Sequence, residues 1–232
     1  LNALAVIGKK PDQIKIVHTG AGAAGIACMD MLVHLGVPKE NIWVADRAGV
    51  VHSGRTDLDE NKRRYARDTQ ARTLDEIIDG ADMFVGLSGP GALTQDMVKR
   101  MVDQPIIFAL ANPTPEILPE LVKAVRPDAI VATGRSDYPN QVNNALCFPY
   151  LFRGALDVCA TVINEAMKIA CVKAIADLAR REMSDIAVRA YGGQTRSFGP
   201  EYLIPQPFDP RLLVELSSAV AVAAMESGVA KR

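Results

Sequence analysis

Residues 14–25 read Ile-Lys-Ile-Val-His-Thr-Gly-Ala-Gly-Ala-Ala-Gly, and this stretch decides the fold. Ile14, Ile16 and Val17 suit a buried strand, and Gly20, Gly22 and Gly25 follow at the G-x-G-x-x-G spacing where a strand turns into a helix. The spacing has a steric reason. Gly20 permits a tight turn, Gly22 leaves bare backbone for a pyrophosphate to approach, and Gly25 lets the helix lie close against the strand. The free amides of the helix's first turn then face the anion.

Downstream, Ile26, Met29, Leu32 and Val33 recur at helical spacing and Gly36 marks the stop. A second strand, Ile42 to Ala45, ends in Asp46, 21 residues beyond Gly25, where a dinucleotide fold places an acid for the ribose hydroxyls. The other reading of Asp46 is a helix cap or turn residue. Strand and helix then keep alternating. Thr73 and Glu76 form a capping box for a short helix, and the apolar runs Met83 to Leu87, Pro105 to Leu110 and Ala129 to Ala132 read as three more strands. Short strands that do not alternate polar with apolar imply a parallel sheet covered on both faces, with ligands beyond the strands' carboxyl ends. The fold expected is therefore α/β, a Rossmann-type doubly wound parallel sheet.

Sequence character changes after Asp137. No strand signal returns, Gly154 to about Arg180 is alanine-rich and reads as one helical stretch, and Asp209 caps a last helix from Arg211 to Met225. The expected organisation is a dinucleotide-binding domain over 1–137 and a helical extension over 138–232 packing on it, with a proline-rich loop at 197–210.

Composition narrows the function. The 232 residues are 49% hydrophobic, enough for a sizeable core, and the net charge of -1 without a basic stripe argues against nucleic acid. Charges interrupt every apolar run before membrane length and no signal segment opens the chain, so a cytoplasmic location is expected. The four cysteines, with no C-x-x-C pair, read as reduced core residues. Leu1 to Ile7 looks like the end of a longer helix, so the chain is expected to be a piece of a larger protein.

Candidate chemistry is sparse. Asp57, Asp59 and Glu60 lack the glycine and closing glutamate of a calcium loop and read as a solvated face. His18, His34 and His52 show no metal-ligand spacing. Asn112, extended before Pro113 at a strand's carboxyl end, could hold a nicotinamide carboxamide, a ribose hydroxyl or a substrate carboxylate, or merely start a turn. Asn143 and Asn144 carry the same ambiguity.

Gly20 to Gly25, the run Ala111-Asn-Pro-Thr114, Thr133 through Asn144, and Cys147-Phe-Pro149 together resemble the cofactor-binding half of bacterial malic enzymes. Phe198 to Tyr202 and Pro205 to Pro210 resemble the hybrid subclass that carries a phosphotransacetylase-like domain after the malic enzyme part. This resemblance implies oxidative decarboxylation of malate to pyruvate with NADP or NAD and a Mg or Mn ion. It also implies that the catalytic tyrosine and lysine and the metal-binding acids lie upstream of the Leu1 to Leu4 segment, so that this piece alone lacks catalysis and binds no metal. Carried over, Gly20, Ala21, Gly22, Ala23, Ala24 and Gly25 bind the pyrophosphate and Asp46 lies near the adenosine ribose. Ser88 and Gly89 line the cofactor, and Asn112 and Asn144 reach the nicotinamide and malate side. Arg47, with Lys62, Arg63 and Arg64 nearby, could pair with a 2'-phosphate, and since the hybrid subclass mostly uses NADP, NADP is expected with NAD as the alternative. The full-length family is typically a homo-oligomer. Two other readings stay open: a non-catalytic nucleotide-sensing module, and the cofactor half of another two-domain dehydrogenase.

Overall fold

Ile16–Thr19 form β1, buried at every residue, with β2 (Ile42–Asp46) on one side and β4 (Met83–Gly86) on the other. Beyond β4 lie β5 (Ile106–Ala109) and β6 (Ile130–Thr133), all parallel, while β3 (Gly49–Val50) pairs antiparallel with β2. The computed structural model describes residues 1–190, 192, 193 and 195–231. Among these the sheet has six strands in the order β3-β2-β1-β4-β5-β6, the doubly wound arrangement.

Side chains in register build the core. Val17, Phe84, Ile107 and Val131 are mutual partners across four adjacent strands and form one apolar row. That row packs with Ile77 from α4 (Leu74–Ile77), Val98 from α5 (Gln95–Lys99) and Val122 from α6 (Pro119–Val125). α4 starts where the sequence predicts, with both halves of the Thr73/Glu76 capping box in place. Two further helices of this part are α1 (Asn2–Ile7) and α2 (Ala23–His34), with the single turn α3 (Glu60–Arg63) after the polar loop.

On the opposite side of β1, His18 is fully buried beneath the first turn of α2, and neither ring nitrogen has a hydrogen-bond partner. Burial pulls its pKa from 6.5 down to about 4. The unfolded chain therefore binds a proton between these values that the folded chain refuses, so stability rises with pH across this window. His18 should cost the fold about 3 kcal/mol as pH falls from 6.5 to 4. Denaturant melts of wild type and His18→Val over that range check this: the variant should lose the slope, and parallel slopes would refute the assignment.

Two differences from the sequence reading have local causes. The antiparallel β3 was not anticipated, because a two-residue strand has no periodicity. It exists because Gly49, at φ +105, reverses the chain after Asp46, and Val50 donates to the Arg72 carbonyl. The stretch Gly154 to Arg180 is not one helix but two, α7 (Phe148–Asp157) and α8 (Glu165–Arg180). Cys159 sits at φ +51, and the Asn164 side chain accepts from the Met167 N–H as a cap, so α8 starts afresh.

By contacts the chain divides into two compact units, Ala3–Pro139 with Leu1, and Asn2 with the residues from Asn140 on. The second unit has its own core, where Leu146, Met167, Leu178, Leu216 and Val220 are buried between α7, α8 and α10 (Arg211–Glu226). Gly154 lets α7 approach α10, since a Cβ there would stand 2.4 Å from the Ser217 carbonyl oxygen. A further helix, α9 (Asp185–Ala190), precedes the proline-rich segment, which Asn140 holds by donating to the Pro200 carbonyl and accepting from the Leu203 N–H.

Candidate dinucleotide site

The sheet order reverses between β1 and β4, so their carboxyl ends open a crevice. The first unit has a cleft there of about 1340 Å³, lined among others by Gly20, Ala21, Gly22, Ala23, Asp46, Arg47, Ser88 and Gly89. Eight of the sequence-predicted residues thus converge on one space. Ala24 and Gly25 belong to α2 just behind it.

The three glycines do different work. Gly20 is at φ +93, and a Cβ there would meet the Leu87 carbonyl oxygen at 2.2 Å. At Gly25 a Cβ would stand 1.9 Å from the Gly20 carbonyl oxygen, so the start of α2 rests directly on the turn. Around Gly22 nothing lies within 4 Å of a Cβ position, and its φ of -80 is ordinary. That glycine faces open cleft. Gly22 is also the N-cap of α2, no side chain caps the helix, and no acid stands in its first turn. Its leading N–H groups are left for an anion, with the helix's positive end behind them. A pyrophosphate fits this cradle.

At the β2 end, Asp46 is not idle. Arg55 donates to both of its oxygens at 2.8 and 3.2 Å, Lys62 reaches it at 3.2 Å and the Ala48 N–H at 3.0 Å. Burial alone would raise the Asp46 carboxyl, but the bonds from Arg55, Ala48 and Lys62 together outweigh it and hold the group below its ordinary value. Arg55 also grips Asp57, and Arg64 is taken up by Asp30. Arg63 donates to the Leu58 carbonyl. Arg47 differs from all of these: it is exposed on the cleft and, among the described residues, makes no hydrogen bond or ion pair. Asp59 caps α3 by accepting from the Lys62 N–H.

Beneath the cleft lies a polar network that sequence reasoning missed. Glu116, fully buried, accepts from the Ser88 N–H at 2.8 Å, lies 3.1 Å from the Ser88 hydroxyl, and accepts from the Ala111 N–H at 3.1 Å. The Ser88 hydroxyl is also 3.0 Å from that of Thr19. Glu116 therefore bridges the ends of β4 and β5, and the Ser88 hydroxyl extends the network to Thr19 at the end of β1. Nothing around Glu116 in the sequence marks it, and Arg55 is equally unmarked within its charged segment.

The asparagines separate. Asn112, before a cis bond to Pro113, is exposed with its side chain against Gly134. Asn143 is used locally, its side chain accepting from the Ala145 N–H, whereas Asn144 is exposed in the second unit and opens a 3-10 turn, Asn144–Leu146. Among the described residues no group of three or more His, Cys, Asp or Glu is placed to hold a metal ion, and no helix is long and apolar enough to cross a membrane.

Comparison with known proteins adds a name to this geometry. The family model described as malic enzyme, NAD binding domain, matches residues 1–188. The NADP-dependent malic enzyme of Salmonella typhimurium is 62% identical over 234 aligned residues, covering 100% of this chain and 31% of that protein. The NAD-dependent malic enzyme of Rhizobium meliloti is 58% identical over 233 residues, covering 100% and 30%. The crystal structure of malic enzyme from Pyrococcus horikoshii Ot3 superposes with a TM-score of 0.84 at 38% identity, over 99% of this chain and 52% of that one. The chain thus spans about a third of the length of these curated relatives, 31% and 30%. A Rossmann sheet, a glycine turn open at Gly22 and a family match over most of the sequence lead to one conclusion: the chain belongs to the malic enzyme NAD-binding domain family.

Proposed function

We propose that this chain holds NADP, with NAD as the alternative, in a protein that oxidatively decarboxylates malate to pyruvate and carbon dioxide. The observation that carries the reading is the uncapped start of α2 behind the open Gly22 at the switch point of the sheet. Gly20, Ala21, Gly22, Ala23, Ala24 and Gly25 cradle the pyrophosphate, and Ser88 and Gly89 run along the cofactor. Asn112 and Asn144, with exposed amides, serve the nicotinamide and the malate. The bound nicotinamide supplies a hydride acceptor; the protein's part is to orient it and exclude water. In this reading 1–137 is the cofactor domain and 138–232 its helical extension. The catalytic groups and the Mg or Mn ligands come from elsewhere in a cytoplasmic homo-oligomer, which also carries the phosphotransacetylase-like part. The residues described here do not fit the metal, so no step is assigned to it.

The preference for NADP rests on charge. A free Asp46 would favour ribose hydroxyls and repel a 2'-phosphate. Here Arg55 and Lys62 already compensate it, and Arg47 is left as an unengaged guanidinium on the cleft. Calorimetric titration with NADP and NAD, on wild type and Arg47→Ala, tests the assignment. NADP should bind more tightly and lose roughly tenfold in the variant, about 1.4 kcal/mol, while NAD is unchanged. Equal loss for both cofactors would remove Arg47 from the 2'-phosphate, and no binding of either would sink the dinucleotide reading.

A further inference from the structure

Two of the four cysteines, 24 residues apart in sequence, meet in the second unit. The Cys171 thiol lies 3.6 Å from the Cys147 sulfur and donates toward it. Nothing in the dinucleotide site uses either group. Cys147 is half-buried at the N-terminus of α7, and Cys171 is 1% exposed in the middle of α8, among the apolar side chains of the second core. A reagent arriving from solvent therefore meets Cys147 first.

Their acid–base behaviour is divided in the same sense. Burial raises a thiol, as it does for Cys28. At Cys147 the hydrogen bond from Cys171 outweighs burial and lowers the pKa, while Cys171 is raised by holding that proton. The start of α7 adds its positive end on the Cys147 side. One sulfur is thus the readier nucleophile and the other stands in contact behind it.

We propose that Cys147 and Cys171 form an oxidisable dithiol site that reacts with small hydroperoxides and closes to a disulfide. In the first step the Cys147 thiolate attacks one peroxide oxygen. An S–O bond forms, the O–O bond breaks, and the other oxygen leaves as water or an alcohol after taking a proton from solvent. In the second, the Cys171 sulfur attacks the Cys147 sulfenic acid, the S–S bond forms, and the oxygen leaves as water with the Cys171 proton. The two thiols together lose two electrons and two protons, and the peroxide is reduced. To bond, the sulfurs must close from 3.6 Å to roughly 2.05 Å. Cys171 is fixed mid-helix, so the movement falls on Cys147 and on the turn it closes, where its N–H donates to the Asn144 carbonyl.

The test is a stepwise hydrogen peroxide titration of the intact protein, followed by thiol counting and non-reducing peptide mapping. Free thiols in this chain should fall from four to two, with the Cys147 and Cys171 peptides linked and the exposed Cys159 still reduced. In Cys171→Ala the same dose should stop at a dimedone-reactive sulfenic acid on Cys147, and in Cys147→Ser the Cys171 thiol should survive. Consumption of Cys159 before Cys147, a linkage through Cys28 or Cys159, or a Cys147 that stays reduced would overturn the proposal. The wild-type map needs no substitution and does not depend on whether Asn144 touches a substrate.

Discussion

Gly25→Ala should destabilise the first unit by about 3 kcal/mol or more, whereas Gly22→Ala, three residues away in the same motif, should leave its stability nearly intact. The contrast follows from what each new methyl meets. At Gly25 it would stand 1.9 Å from the Gly20 carbonyl oxygen and 3.1 Å from the buried ring of His18. Both are fixed, one as backbone inside the turn and the other in the core, so α2 must lift off β1. At Gly22 the methyl meets nothing within 4 Å and the backbone is already extended. Yet that open space is where a pyrophosphate would lie, so Gly22→Ala should weaken dinucleotide binding by tenfold or more, roughly 1.4 kcal/mol, without lowering the melting temperature. Thermal melts and calorimetric titration of the two variants separate the roles. A Gly22→Ala variant that binds as wild type would mean the cofactor does not approach that backbone.

Sequence made the sheet legible because its information is local. Each parallel strand is a short apolar run, α4 and α5 open on threonine N-caps, and the glycine turn fixes where the crevice opens. Asp46 was legible as a position but not as a state: its pairing with Arg55 spans a loop whose path depends on β3 and the reversal at Gly49. The break between α7 and α8 hid behind alanine-rich composition, although Asn164 ahead of Glu165 is an N-cap signature in hindsight. The Cys147–Cys171 contact and the Glu116 network were invisible for a further reason. A thiol pair or a carboxylate bridging distant backbone amides leaves no pattern at any fixed spacing.

Glu116 is the residue whose removal should most disturb the cleft without touching a ligand. Glu116→Gln keeps the volume but offers one acceptor oxygen in place of two. Its best orientation keeps that oxygen for Ser88, whose N–H and hydroxyl both converge there, and turns the NH2 toward the Ala111 N–H, donor against donor. A buried donor left unsatisfied costs about 1–3 kcal/mol, and Glu116→Ala, which strips both acceptors and leaves a cavity, should cost about 3–5 kcal/mol. Gly86 supplies an internal check. A Cβ at Gly86 would lie 2.3 Å from the Glu116 carboxyl carbon, so Gly86→Ala alone should be strongly destabilising. Combined with Glu116→Ala, the new methyl gains the space the carboxylate vacates, and the double variant should be more stable than the sum of the two losses requires. Denaturant melts of the four proteins measure that coupling. Strict additivity would mean the carboxylate does not occupy the end of β4. With the coupling present, Ser88 and Ala111 owe their positions to one buried side chain, and Glu116→Gln should then also weaken dinucleotide binding. The apolar rows beneath fix the strands and backbone bonds such as Leu87 N–H to the Thr19 carbonyl carry the ladder past their ends, while Glu116 adds the side-chain bridge from the end of β4 to the end of β5.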